Sequence, residues 1–237
     1  MIIKNRRELA LSELREKALD IAEAAVGRVL PGNLMKTAIS YEAKSRVLTI
    51  GGDNYALGDG RLFVIGGGKA SGLMAQTLEE IIGAGTITAG IVSCKCVQGR
   101  ENVIRLIEAG HPIPDERGVS GVAEMLGLKE KYQIDKDDLV ICLISGGGSA
   151  LLPCPVKGVS LADKCTLTGF LLGCGAEIGE INSVRKHISC IKGGRLGEFL
   201  SPCRVVSLII SDVIGNRLDV IASGPTYPDS STFRDAY

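Results

Sequence analysis

The sequence predicts an α/β fold: three layers built on a largely parallel, Rossmann-like sheet with helices on both faces, preceded by an amphipathic N-terminal helix. Two observations carry that expectation. From about residue 61 onward, apolar runs of strand length alternate with segments of helical periodicity, the pattern of βαβ units. Moreover, the run 137–144 ends in six consecutive apolar residues, Leu139 to Ile144, as expected where helices cover both sheet faces.

Before the sheet, Leu11, Leu14, Ala18, Ile21, Ala25 and Val29 recur every three to four positions between about Arg7 and Leu30, among charged residues. This spacing predicts a helix ended by Pro31-Gly32. Segments 47–50 and 54–57, split by Gly51-Gly52-Asp53, predict a small hairpin. Further strands are expected at 61–65, 89–93, 103–107 and 204–210, and helices at 73–82, 119–132, 160–173 and within 177–200, the last broken by Gly193-Gly194. Ser160 reads as a cap.

Composition narrows the partners. Lys plus Arg and Asp plus Glu stand at 27 each, so no charge excess marks a nucleic acid or an anionic membrane as partner. No apolar run approaches the roughly 20 residues that span a bilayer. The first residues turn charged at once, unlike a signal peptide, so eight cysteines read as reduced cytoplasmic thiols. Cys94 and Cys96 lack the two-residue spacer of a zinc knuckle, and Cys142, Cys165, Cys174 and Cys190 fall in apolar segments as small buried hydrophobes.

The chemistry-bearing stretches lie at strand ends. Leu143 to Leu152 runs a strand into Ser145, Gly146, Gly147, Gly148 and Ser149, where glycines allow successive N–H groups to face an anion and the serines add hydroxyls. A turn that needs glycine for its conformation alone would look the same. A second strand leads into Gly66, Gly67, Gly68 and Lys69 ahead of a helix, an arrangement suited to an anion. It is not a P-loop, since positions 63 and 70 are Phe63 and Ala70, nor a dinucleotide fingerprint, since Ser71 stands where Gly or Ala is required. Lys69 could reach a phosphoryl group or simply be solvated. His111 follows a strand in a loop fixed by Pro112 and Pro114. Arg185, Lys186, Lys192 and Arg195 make a locally basic segment, read either as a solvated face or as a cluster aimed at phosphate. Asp212 directly follows the last strand, a place for a carboxylate that holds Mg²⁺ or takes a proton, and equally for a turn aspartate.

Five motifs in this order resemble the glycerate 2-kinase family, also called the MOFRL-containing glycerate kinases: residues 64–70, 109–112, 143–152, 181–187 with 192–194, and 211–216 with 221–226. The resemblance implies ATP- and Mg²⁺-dependent phosphorylation of D-glycerate to 2-phosphoglycerate in the cytoplasm, with Lys69 catalytic. It implies that residues 1–237 are a single N-terminal α/β domain, and that the C-terminal MOFRL domain of the family is absent from this chain. A separate MOFRL half or a second copy of the chain is the protein partner it suggests. The resemblance also brings two other readings: an NAD(P)H-dependent hydroxypyruvate reductase, which the failed dinucleotide fingerprint opposes, and a non-catalytic binding half. Consumption of NADH or NADPH with hydroxypyruvate separates the reductase from the kinase.

Overall fold

The computed structural model describes residues 2–97 and 103–237. The N-terminal region holds α1 (Arg6–Leu9), α2 (Glu13–Val29) and α3 (Pro31–Ala38), then the antiparallel strands β1 (Ile39–Glu42), β2 (Val47–Ile50) and β3 (Asp53–Ala56). The expected hairpin is present as β2 and β3, with β1 as an additional partner of β2. Pro31 does not end the helical region; it opens α3 from its first turn, where its missing N–H costs no hydrogen bond. The apolar residues of α2 do not form a buried face either: the helix buries no residue, and Leu14, Ile21 and Val29 are exposed.

The remainder is the α/β core: β4 (Leu62–Gly67), α4 (Ser71–Ile82), β5 (Ile87–Cys94), β6 (Ile104–Glu108), α5 (Glu116–Tyr132), β7 (Leu139–Ser145), α6 (Gly148–Leu151), α7 (Leu161–Gly173), α8 (Ile178–His187), α9 (Arg195–Leu200), β8 (Arg204–Ile210) and α10 (Phe233–Ala236). The five strands are parallel in the order β6-β5-β4-β7-β8. The chain builds outward from β4 to β6, then crosses by α5 to the other side of β4. This reversal makes a topological switch point between β4 and β7, and ligands of such sheets bind beyond the carboxyl ends of the strands there.

Side chains alternate across the sheet with period two. Leu62, Val64, Leu139, Ile141 and Leu143 pack with Met74 and Leu78 of α4 and with Met35 of α3. Phe63, Ile65, Val140, Cys142 and Ile144 pack with Val122 and Met125 of α5 and with Leu196 of α9 on the opposite face. The two central strands are fully buried, so nearly every position in them is apolar. At the amino ends, Asp138 staples β4 to β7: its carboxylate accepts from Arg61 Nη2 at 2.7 Å, from Arg61 Nε at 3.0 Å and from the Arg61 backbone N–H at 2.9 Å.

Of the cysteines expected in the interior, Cys142 is fully buried, Cys165 is half-buried, and Cys174 and Cys190 are exposed. The exposed two follow the ends of α7 and α8, where the chain turns at the surface. Among the described residues no helix is long and apolar enough to cross a membrane.

Candidate active site at the sheet switch point

Glycine at position 66 is a packing requirement. Its φ is +146°, and a Cβ there would lie 2.1 Å from the Leu143 backbone oxygen on β7. The two central strands therefore approach each other closely at their carboxyl ends, where each delivers its glycine turn.

The two turns are locked together and play different parts. In the first, Gly68 N–H donates to Ser93 O at 3.1 Å, Lys69 N–H to Gly146 O at 2.9 Å and Ala70 N–H to Ser145 Oγ at 3.1 Å. These amides are occupied within the protein, so the Gly66-Gly67-Gly68 turn presents Lys69 but is not itself an open anion cradle. Ser145 is fully buried and shares a 2.9 Å hydrogen bond with Ser71 Oγ, which makes it a tie between the turns. In the second turn, the N–H groups of Gly147, Gly148 and Ser149 donate to no acceptor outside regular helix and strand bonding among the described residues. Gly147 has φ +82°, and Ser149 Oγ lies 2.7 Å from Ser223 Oγ. The open donors thus belong to the loop after β7.

Over this turn stand the charged groups. Lys69 Nζ lies 3.5 Å from Asp212 Oδ2, with side chains 48 % and 57 % exposed. An exposed pair of that length contributes about 0–1 kcal/mol, so a phosphoryl oxygen can draw the ammonium away cheaply. His111 completes the group: a Cβ added at Gly147 would meet the His111 ring at 2.8 Å and Lys69 Cγ at 3.1 Å. Burial, followed by the positive fields of Lys69 and Lys95, lowers the His111 pKa against the opposing pull of Asp212. Its ring is therefore neutral at pH 7 and available to accept as well as donate a hydrogen bond.

Gly146 controls the carboxylate. A Cβ there would fall 2.0 Å from Asp212 Oδ2, the end of a movable, exposed side chain. Gly146→Ala is expected to leave the thermal unfolding midpoint within about 3 °C, an effect on the order of 1 kcal/mol, while any activity that depends on the Lys69–Asp212 pair falls at least tenfold as the carboxylate is displaced; melting and kinetic measurements on the same preparation check this.

A cavity of about 600 Å³ adjoins the turn, lined by His111, Pro112, Gly147, Ser149, Lys164 and Arg185 among others. The expected basic segment divides on inspection. Arg185 reaches the cavity. Lys186 does not: it is buried against Asp229 at 3.0 Å and Asp219 at 3.9 Å, so it serves as an internal ion pair and not as a ligand group. Arg195 spends its guanidinium on the carbonyls of Lys186 and Ser189. Lys164 is a lining residue that the sequence pattern hid, because it sits in what looks like an ordinary capped helix; its one signal is a lysine amid mostly apolar and small residues of α7.

This geometry defines an α/β domain whose candidate ligand site occupies the carboxyl edge of the sheet between β4 and β7. The chain belongs to the family described as Domain of unknown function (DUF4147), whose model matches residues 17–237. It is 42 % identical over 226 residues to the glycerate 2-kinase of Pyrococcus horikoshii, a match covering 92 % of this chain and 50 % of that protein. The crystal structure of a protein from Pyrococcus horikoshii OT3 superposes with a TM-score of 0.84 at 39 % identity, over 95 % of this chain and 50 % of that one. The crystal structure of a glycerate kinase from Thermotoga maritima gives 0.80 at 40 % identity, over 94 % and 50 %. The chain thus spans about half the length of the relatives it matches, and the expected kinship with glycerate kinases is borne out.

Proposed function

We propose that this domain is the N-terminal half of an ATP-dependent kinase that phosphorylates D-glycerate to 2-phosphoglycerate. The Lys69–Asp212 pair over the open Gly147–Ser149 turn carries this reading. Phosphoryl transfer demands positioning and charge neutralisation more than covalent chemistry from the protein. In the proposed step the glycerate 2-hydroxyl oxygen forms a bond to the γ-phosphorus, the bond from that phosphorus to the ADP oxygen breaks, and the hydroxyl proton passes to the Asp212 carboxylate and on to solvent. Lys69 sets its ammonium against the equatorial oxygens of the transferring group, where charge is spread in the transition state. Asp212 orients the hydroxyl, and the N–H groups of Gly147 to Ser149 hold a phosphate or the carboxylate.

A Mg²⁺ ion suits this donor set only as one shared with the nucleotide. Such ions take one or two carboxylates plus phosphate oxygens, and Asp212 offers one exposed carboxylate. No group of three or more His, Cys, Asp or Glu able to hold a metal alone occurs among the described residues. When bound, the metal would neutralise phosphate charge; Asp212 is the residue that would hold it.

The partner in this reading is a counterpart of the second half of the matched relatives, a MOFRL domain facing the same edge of the sheet. The test is ADP formation dependent on D-glycerate, measured for the chain alone and mixed with a separately produced C-terminal half of the Thermotoga maritima relative. Glycerate-dependent ADP in either sample supports the kinase, and identification of the 2-phospho product completes it. Its absence from both, with each half folded, refutes the reading.

A further inference from the structure

Helix α7 is amphipathic in the wrong sense. Its one buried residue is Lys164, at 4 % exposure, while Phe170 and Leu172 of the same helix are exposed. The Lys164 ammonium is sealed from solvent and has no hydrogen-bond partner among the described residues. A buried charge without a partner is strongly unfavourable, and such groups are normally paired or neutralised. Nearby stands Lys192, wholly buried, whose ammonium reaches the Ala222 carbonyl only at a long 3.4 Å. Arg185, on the cavity wall opened by α8, forms no ion pair among the described residues.

The three cations feel one another. Burial first, then the field of Arg185, lowers the Lys164 pKa, and burial followed by Lys164 and Arg185 drives Lys192 well below its ordinary range. Among the described residues that line the cavity there is no aspartate or glutamate to offset them. The contrast with Lys186 is instructive: this lysine is equally buried, yet Asp229 and Asp219 neutralise it. Where a buried lysine serves the fold alone, this chain provides a carboxylate.

We propose that Lys164 and Arg185 form an oxyanion pocket in the cavity between α7 and α8, with Lys192 buried behind them, and that the missing negative charge arrives with the ligand. The oxyanion is a carboxylate or a phosphate; under the kinase reading, on which this assignment of the ligand rests, it belongs to glycerate or to the nucleotide. Gly147 and Ser149 line the same cavity, so an anion held there would lie on the approach to the turn beneath Lys69 and Asp212.

The test uses the intact chain in calorimetric titrations with D-glycerate, with tripolyphosphate and with uncharged glyceramide. Wild type should bind at least one of the two anions, and glyceramide at least tenfold more weakly than glycerate if the carboxylate is the recognised group. Lys164→Met should weaken binding of that anion at least tenfold while raising the ligand-free melting temperature, because an unpaired buried charge has been removed. Lys164→Arg should restore much of the binding, and Lys157→Met, which removes an exposed lysine on the preceding loop, should change it less than twofold. Loss confined to glycerate assigns the carboxylate, and loss confined to tripolyphosphate assigns the phosphate.

Unchanged affinity in Lys164→Met, or no binding of either anion by wild type, overturns the pocket. Should Lys164→Met fail to fold, Arg185→Gln, at a half-buried position, takes its place with the same tenfold criterion. The two readings fail separately: glycerate-dependent ADP formation with an unaltered KM in Lys164→Met removes the pocket and leaves the kinase, whereas Lys164-dependent anion binding without phosphorylation in any mixture removes the kinase and leaves the pocket.

Discussion

If the domain is the proposed kinase half, Lys69→Met is expected to lower the rate of glycerate phosphorylation by about a hundredfold to a thousandfold, the effect of deleting one group aimed at transition-state charge. Stability should barely move. The side chain is half exposed, its ion pair with Asp212 is 3.5 Å long, and methionine keeps the stem that packs beside Gly147. Surface changes of this sort usually stay within about 0.5 kcal/mol. The check is kcat alongside a thermal melt: near-normal turnover in a folded variant removes Lys69 from the chemistry.

The largest effect on stability is expected at the far end of the sheet. Asp138→Ala removes the carboxylate partner of Arg61, whose guanidinium keeps only the Tyr132 and Gln133 carbonyls, and leaves the backbone N–H groups of Arg61 and Asp135 without their acceptor, at a side chain only 3 % exposed. Breaking a buried charge pair from one side costs about 3–5 kcal/mol; with Arg61 40 % exposed, about 3 kcal/mol is the reasonable value, or roughly 6–12 °C in Tm for a domain of this size. Burial by itself would raise the Asp138 pKa, but its hydrogen bonds from Arg61 and Asp135 outweigh it and hold the carboxyl below its ordinary value. A depressed carboxylate contributes fully above its unfolded pKa of about 3.9 and is lost as pH falls through the lower folded value. Denaturant midpoints should therefore separate wild type from variant widely at pH 7 and narrowly near pH 2. An equal separation at both would show that the carboxylate charge is not what matters.

What could be read in the sequence was whatever depends on local pattern. Continuous apolar runs marked β4 and β7, and residues placed just after strands, Lys69 and Asp212, met because an open parallel sheet gathers its strand ends on one edge. What could not be read depends on partners far along the chain. Lys186 looked like any other base in its segment until Asp229, forty-three residues on, claimed it. Ser145 looked like a ligand hydroxyl until Ala70 and Ser71 claimed that. Lys164 was hidden for the opposite reason: α7 has a well-formed capping box at Ser160 and Asp163, and nothing in its composition says that the lysine points inward and the phenylalanine outward. Even the apolar period of α2 was real, yet period alone does not say what, if anything, lies against it.

The occupied amides of Gly68, Lys69 and Ala70 have one more consequence. Three successive glycines would ordinarily confer mobility, and a lysine carried on a mobile loop must surrender conformational entropy each time a ligand is bound. Here the backbone on both sides of Lys69 is tethered to Ser93, Gly146 and Ser145, so that disorder is lost once, during folding. Only the lysine side chain remains to be ordered when a ligand binds.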